Sequence, residues 1–476
     1  MVDEHPLVSE IRARLGAKGV RAGSDAEGYL EDFWGRARGQ ALCVALPAST
    51  EEVSAVLGLC HRHQVAVFPQ GGNTSTCLGA VPDGSGQSIV LGLGRMNRIH
   101  GVDPVDYSLV AEAGCILADI QQAAAAEGLL FPLSLGAEGS CQIGGNVSTN
   151  AGGTAVLRYG NTRDLVLGLE AVLPDGRVWN GLRTLRKNNT GYDLKHLFIG
   201  AEGTLGVITQ VALKLFPALE RLTTVLVSFD DIAHLSALTG PLRRAFDTAI
   251  IAMELISASE VGIVKAIYPD LNVPYAAGEG WYLLLDIAHG REGDITDTLQ
   301  GVLGEAIEQG YLSDVLIGAS EAQREAIWKL RHTVTEAHKQ YGMGMSHDVA
   351  IPLAAIPGFI QAAGALVARQ FPQAEVALVG HVGDGNLHYN VMFEKTVWAA
   401  IGDQAATRKA VYKAIYDLAA SLGGTFSAEH GVGALHVAEM GTYKPALELE
   451  LMHGIKALLD PGQRMNPGRV LPPWVG

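Results

Sequence analysis

The sequence predicts an α+β protein with a first domain over residues 1–217, a second over 218–433 and a C-terminal segment, 434–476, that packs back on the first. Three observations predict it. Strand and helix patterns alternate from Ala41; residues 132–206 are rich in Gly, Ser, Thr and Asn yet keep strand-like runs; and a Pro- and Gly-rich tail, DPGQRMNPGRVLPP, follows the last helical stretch. A tail of that composition is ordered only where it lies across something.

The elements follow in order. ALCVALP reads as a strand, STEEVSAVLGLCHRH as a helix and VAVFP as a buried strand. Ser49 and Glu52 are spaced for a capping box, and Val53, Val56, Leu57 and Cys60 form one apolar stripe. A loop of small residues, PQGGNTSTCLGAVP, comes next, then strands in SIVLGLGRMNRI and DYSLVAEAGC and a helix in LADIQQAAAAEG. LGLEAVLPDGRVW reads as strand with a turn at Asp175 and Gly176. After Pro217 the texture becomes an ordinary alternation of strands and helices, ending in the helical ALELELMHGIKALL and the tail.

Composition narrows the function. A formal charge of -15 argues against a nucleic-acid partner, which needs a clustered basic surface. No uncharged apolar run approaches the roughly 20 residues that cross a bilayer. The five cysteines, Cys43, Cys60, Cys77, Cys115 and Cys141, include no CxxC pair and read as reduced and buried. With an N-terminus, MVDEHPLVSEIRARLG, that lacks a signal-peptide layout, they place the protein in the cytoplasm.

Three constellations carry chemistry. The first is a pair of small-residue loops, Gly71-Gly72-Asn73-Thr74-Ser75 and Gly139-Ser140-Cys141-Gln142-Ile143-Gly144-Gly145-Asn146. Glycines let backbone N–H groups approach a diphosphate closely, so two such loops could hold one dinucleotide, or could be no more than tight turns. Neither is a GxGxxG or a Walker loop, which disfavours NAD and ATP.

The second constellation is GHVGDGNLHYNV. If Asp384-Gly385 is a two-residue type I′ turn, Gly383 pairs with Asn386, Val382 with Leu387 and His381 with His388. Directly opposed residues have Cβ atoms about 4.5–5.5 Å apart, which suits two nitrogen ligands on one metal, with Asn390 on the same face. The alternative is a histidine pair stacked without a metal. The third is SAEHGVG, where Glu429 could complete a His2Glu site and His430 could act as a base. Neighbours in a regular strand point to opposite faces, so both reach one site only if the backbone bends at Gly431 or substrate lies between them. Arg331 and Thr335, one turn apart on the helix EAQREAIWKLRHTVTEAHK, suit a carboxylate.

Together the segments PQGGNTST, GAEGSCQIGGNVSTNAGG, RYGNTRD, GYDLKHLFIGAEGTLGVIT, GHVGDGNLH, SAEHGVG and DPGQRMNPGRVLP resemble, in order, the FAD-linked flavoproteins of the vanillyl-alcohol oxidase and p-cresol methylhydroxylase superfamily. The branch is that of D-2-hydroxyglutarate dehydrogenase, D-lactate dehydrogenase and the glycolate oxidase FAD subunit. The resemblance implies a two-part FAD-binding domain of the p-cresol methylhydroxylase type and an α+β substrate and metal-binding cap with an antiparallel sheet. It implies FAD lined by Pro69, Gly71, Gly72, Asn73, Thr74, Ser75, Gly139, Ser140, Gly144, Gly145, Asn146, Glu202, Gly206, Ile208 and, from the tail, Asn466. The first loop holds no histidine, so FAD is expected to be non-covalent.

The same resemblance implies a divalent metal, zinc first, on His381, His388 and Glu429, with His430 as catalytic base and Arg331, Thr335 and Asn390 on substrate. The expected reaction oxidises a D-2-hydroxy acid, D-2-hydroxyglutarate first and D-lactate or another monoacid second, passing electrons to an electron-transfer flavoprotein or quinone. A metal-dependent hydrolase and a flavin subunit active only in a larger complex are the competing classes; a homodimer is compatible with the sequence. One departure stands out: Met345-Ser346-His347-Asp348 carries Ser346 where a substrate-binding lysine is expected. A dicarboxylate then loses a cationic partner unless His347 or Lys339 replaces it.

Overall fold

A computed structural model describes residues 4–271, 274, 280–290, 295–318 and 320–474, so the first three residues of the acidic N-terminus lie outside the described residues. The chain divides into two compact units: Met1–Gly152 with Gly160–Ala218 and Glu429–Gly476, and Gly153–Tyr159 with Leu219–Ala428.

In the first unit, strand Cys43–Ala45 lies parallel to Ser88–Gly92, which lies parallel to Ala66–Gln70. Helix Thr50–His63 crosses between the first and last of these; Ser49 caps it by accepting from Glu52 N, and Glu52 reaches back to Ala48 N at 2.7 Å. Val53, Val56, Leu57 and Cys60 are buried along one stripe, as the spacing predicts. A five-stranded antiparallel sheet follows the order Ile99–Asp103, Ser108–Glu112, Val207–Lys214, Val166–Val172, Val178–Gly181. Its last pair turns through Asp175 and Gly176, the latter at φ +93°.

The C-terminal tail is ordered because the strand Ala66–Gln70 accepts it. Met465 bridges to Val67, Arg464 O accepts from Val67 N at 2.9 Å, and Asn466 N donates to Val67 O at 2.8 Å. Lys456 pins the bend behind it. Its buried ammonium donates to Asp460 Oδ2 at 2.6 Å, Thr204 O at 2.7 Å and Met465 O at 2.9 Å. Burial lowers the Lys456 pKa, and the Asp460 carboxylate opposes that shift. Lys456→Met removes the cation and leaves Asp460 buried, a loss of about 3–5 kcal/mol for a broken buried pair. The denaturation midpoint should fall accordingly; an unchanged midpoint would show the tail is held by other contacts.

The second unit is a seven-stranded antiparallel sheet in the order Asp314–Gly318, Arg221–Phe229, Trp281–His289, Ile250–Ser257, Glu375–His381, Asn386–Glu394, Gly342–Ala350. Helices Ala258–Ile267 and Glu321–Tyr341 supply Val261, Ile327, Trp328 and Val334 to a core with Ala252, Ile256, Val379 and Met392 of the sheet. Ser320 caps the long helix by accepting from Gln323 N. Its residues Arg324, Trp328 and Arg331, spaced four and three apart, all meet carboxylates buried in the sheet.

The hairpin carrying the two histidines differs from the expected one. His381 pairs with Asn386 and His388 with Val379, so the connection is the four residues 382–385 and the imidazoles are diagonal neighbours. The reason lies in the backbone: a two-residue type I′ turn needs positive φ at both central positions, and only Gly385, at +94°, adopts it. Because side chains alternate with period two, this two-residue change of register leaves both histidines on one face.

Candidate active site

The first unit holds a cradle built by close approach of two loops. A Cβ on Gly72 would lie 2.1 Å from Ser140 O, and one on Gly71 would lie 3.5 Å from the Gln142 Cβ. A Cβ on Gly144 would likewise lie 2.6 Å from the Ala113 Cβ. The backbone N–H groups of Gly72, Asn73, Thr74 and Ser75 make no hydrogen bond among the described residues. They form a run of donors of the kind that takes phosphate oxygens. Pro69 is the penultimate residue of strand Ala66–Gln70, beside Gly203, while Gly206 immediately precedes strand Val207–Lys214 and Ile208 lies within it. Gly139 and Ser140 sit in the second loop, and Gly145 and Asn146 in the short helix Ile143–Thr149.

Three buried carbonyl oxygens in this unit, Gln142 Oε1, Asn146 Oδ1 and Asn466 Oδ1, lack a donor among the described residues. Buried polar atoms are ordinarily satisfied. Phosphate offers no donor, but ribityl hydroxyls, a flavin ring N–H and an adenine amino group do, so the residues present fit FAD. Asn466 is held for this position by donating to Gly79 O at 3.0 Å and Glu202 O at 2.7 Å.

Glu202 has a further task. Its two carboxylate oxygens accept from Val432 N and Gly433 N, each at 2.7 Å. Burial raises its pKa, and these two N–H groups oppose the rise. They frame the segment containing Glu429 and His430, which is a series of bends and not a strand. Gly431 turns at φ +84° and Gly433 at +53°, where a Cβ would lie 1.9 Å from Cys77 O. The bend brings His430 Nε2 within 3.9 Å of Glu429 Oε1, which removes the opposite-face difficulty of a regular strand.

In the second unit one face of the sheet collects the polar groups. Glu254 is paired with His381, His388 with Asp348, and Asn390 with Ser346 across the strands. The His381 and His388 rings are 5.3 Å apart at 85°. His381 Nδ1 bonds to Glu254 Oε1, and Glu254 Oε2 accepts from Arg331 Nε at 2.8 Å. Burial pushes the Glu254 carboxyl up, but the positive partners His381 and Arg331 outweigh it and hold its pKa at about 2. His388 Nδ1 lies 3.7 Å from Asp348 Oδ1. Asp348 also accepts from Asn386 Nδ2 at 2.8 Å and from Ala428 N at 3.1 Å. It thereby fixes the residue that immediately precedes Glu429. Within this unit, Asp348 and His388 offer ligand atoms of the types a divalent cation takes.

Other expected roles fare differently. Asn390 is buried and its Nδ2 donates to His388 O at 3.0 Å, while Thr335 is exposed one turn beyond Arg331. His347 does not replace a cationic partner beside Ser346. It is fully buried on the opposite face, bonded to Tyr389 O at 2.9 Å and packed 4.8 Å from the Tyr412 ring, because alternate strand residues face opposite ways. Lys339 is paired with Glu336 at 2.8 Å. Sequence reasoning missed Glu254; the available signal was a lone acid in the apolar run IIAMELIS.

Comparison with known proteins fits this geometry. Residues 41–181 match the FAD binding domain family and residues 219–470 the family "FAD linked oxidases, C-terminal domain". The mitochondrial D-2-hydroxyglutarate dehydrogenase of Arabidopsis thaliana is 35% identical over 99% of this chain and 84% of its own. That of Bos taurus is 38% identical over 93% and 79%. The D-2-hydroxyglutarate–pyruvate transhydrogenase of Saccharomyces cerevisiae is 31% identical over 94% and 90%. Among solved structures, substrate-bound p-cresol methylhydroxylase aligns with TM-score 0.75 at 16% identity over 97% of this chain and 96% of its own, which speaks for the fold.

These relatives correct the cytoplasmic expectation, since those from Arabidopsis thaliana and Bos taurus are mitochondrial. All five cysteines are buried and none forms a disulfide among the described residues, but reduced thiols suit any reducing compartment and could not discriminate. No helix among the described residues is long and apolar enough to cross a membrane. With both family matches in sequence order and relatives above 30% identity over nearly its whole length, the chain belongs to the FAD-linked oxidases and is an FAD-dependent oxidoreductase.

Proposed function

We propose that the protein oxidises a D-2-hydroxy acid to the 2-oxo acid, with D-2-hydroxyglutarate the first candidate, assisted by a divalent metal. The observation that carries this reading is the position of Glu254 between Arg331 and His381. It sets a guanidinium fork beside an imidazole ligand, and a 2-hydroxy acid presents a carboxylate and a hydroxyl on adjacent carbons to such a pair.

His381 and His388 would hold the metal, zinc first because these ligands are imidazoles, with Glu429 as the third ligand. Bound there, a metal would supply Lewis-acid polarisation of the substrate's hydroxyl, and FAD, which the loops at 69–75 and 139–146 together with Asn466 would hold, would supply the acceptor for the C2 hydride. His430 takes the hydroxyl proton. Arg331 and Thr335 orient a carboxylate, and Asn390 contributes an amide to the same face. Electrons leave to an electron-transfer flavoprotein or quinone.

Turnover with an artificial dye acceptor, measured for the D and L forms of 2-hydroxyglutarate and lactate, tests this assignment. D-2-hydroxyglutarate should be oxidised fastest. Ser346→Lys, which adds a cation opposite Asn390, should lower KM for D-2-hydroxyglutarate several-fold and leave D-lactate unchanged. Equal rates with both enantiomers, or none with any of them, would contradict the assignment.

A further inference from the structure

Glu254 is the one charged residue of strand Ile250–Ser257 and has no exposed surface. Its neighbours on the same face, Ala252 and Ile256, belong to the apolar core. An ionised carboxylate in such a place is costly unless both oxygens are partnered. Each has one partner, and both partners belong to the proposed site: Oε1 meets His381 Nδ1, and Oε2 accepts from Arg331 Nε at 2.8 Å.

The chemistry of each contact is specific. A histidine whose Nδ1–H is held by a carboxylate presents Nε2 as its ligand atom, with ring orientation fixed and basicity raised. A guanidinium held through Nε keeps its terminal amino groups in one plane; those of Arg331 make no hydrogen bond among the described residues. Asp286, on the next strand, gives the contrast. It is also buried and also ties the long helix to the sheet, accepting from Trp328 Nε1 at 3.1 Å with Arg324 3.6 Å away, but it touches no group assigned to metal or substrate.

We propose that Glu254 is a positioning residue that sets metal binding and carboxylate capture together, by holding His381 and Arg331 on the two oxygens of one carboxylate. This rests on the metal and substrate reading above. The carboxamide of Glu254→Gln has a single acceptor oxygen, so it can serve only one of the two donors while keeping the shape of the side chain.

The test uses the FAD-loaded full chain, stripped of metal and titrated with Zn²⁺ against a chromophoric chelator, with KM for D-2-hydroxyglutarate measured in parallel. Glu254→Gln should weaken Zn²⁺ binding by about 10–100-fold, the usual effect of losing an outer-shell partner, and should raise KM. Asp286→Asn should lower the unfolding midpoint while leaving Zn²⁺ affinity and KM as in the wild type. Zn²⁺ affinity and KM in Glu254→Gln that match those of Asp286→Asn would overturn the proposal. If Glu254→Gln does not fold, Glu254→Asp, one methylene too short to span both donors, should show the same two losses, and wild-type values would overturn it equally. His381→Ala separates the levels: retention of Zn²⁺ there would reject the metal reading itself, whereas loss there with an unaffected Glu254→Gln would reject only the role of Glu254.

Discussion

His430→Ala should leave FAD bound and reduce turnover by about 10²–10⁴-fold, the range that a positioned general base contributes. The expectation rests on how rigidly this histidine is presented. Glu202 holds the N–H groups of Val432 and Gly433, Gly431 and Gly433 turn where side chains are disfavoured, and a Cβ at Gly433 would strike Cys77 O. A segment held at so many points fixes one backbone path, as expected where a proton must leave in one direction. The flavin spectrum should be unchanged, because His430 belongs to neither glycine loop. Turnover within a few-fold of wild type would remove His430 from the mechanism.

His381→Ala should lose the metal and, with it, activity, by more than the roughly 10–100-fold that removal of an outer-shell partner costs. Two effects combine. The imidazole disappears from the pair it forms with His388, and Glu254 keeps only Arg331 as a partner in a fully buried setting. An uncompensated buried charge is strongly destabilising, so the unfolding midpoint should fall as well. Elemental analysis of the purified variant reads the first effect and calorimetry the second. Wild-type metal content in the variant would rule out His381 as a ligand.

Much of this architecture is written locally in the chain. The capping box at Ser49 and Glu52, the apolar stripe through Val53 and Cys60, and the turn at Asp175 and Gly176 each follow from short-range rules. The loops at 69–75 and 139–146 are legible because glycine is required where Gly72 meets Ser140 O and Gly144 meets Ala113. The long-range parts were less legible. The His381–His388 register depended on whether Asp384 would take positive φ, which local sequence does not dictate, and it did not. The face on which His347 lies followed from that strand's alternation, yet a histidine beside an aspartate looks polar in sequence and is buried among Tyr389, Tyr412 and Tyr416. Glu254 was invisible because its partners lie 77 and 127 residues away. Compartment was misread for a different reason: free thiols report redox conditions, which several compartments share.

The most direct test of the whole account is anaerobic bleaching of the flavin absorbance near ~450 nm by D- and L-2-hydroxy acids, with and without chelator, since the flavin itself reports arrival of the hydride. The account predicts rapid bleaching by D-2-hydroxyglutarate, little by the L form, and loss of the response when the metal is removed. A bound flavin that no D-2-hydroxy acid reduces, or reduction that a chelator leaves untouched, would contradict it.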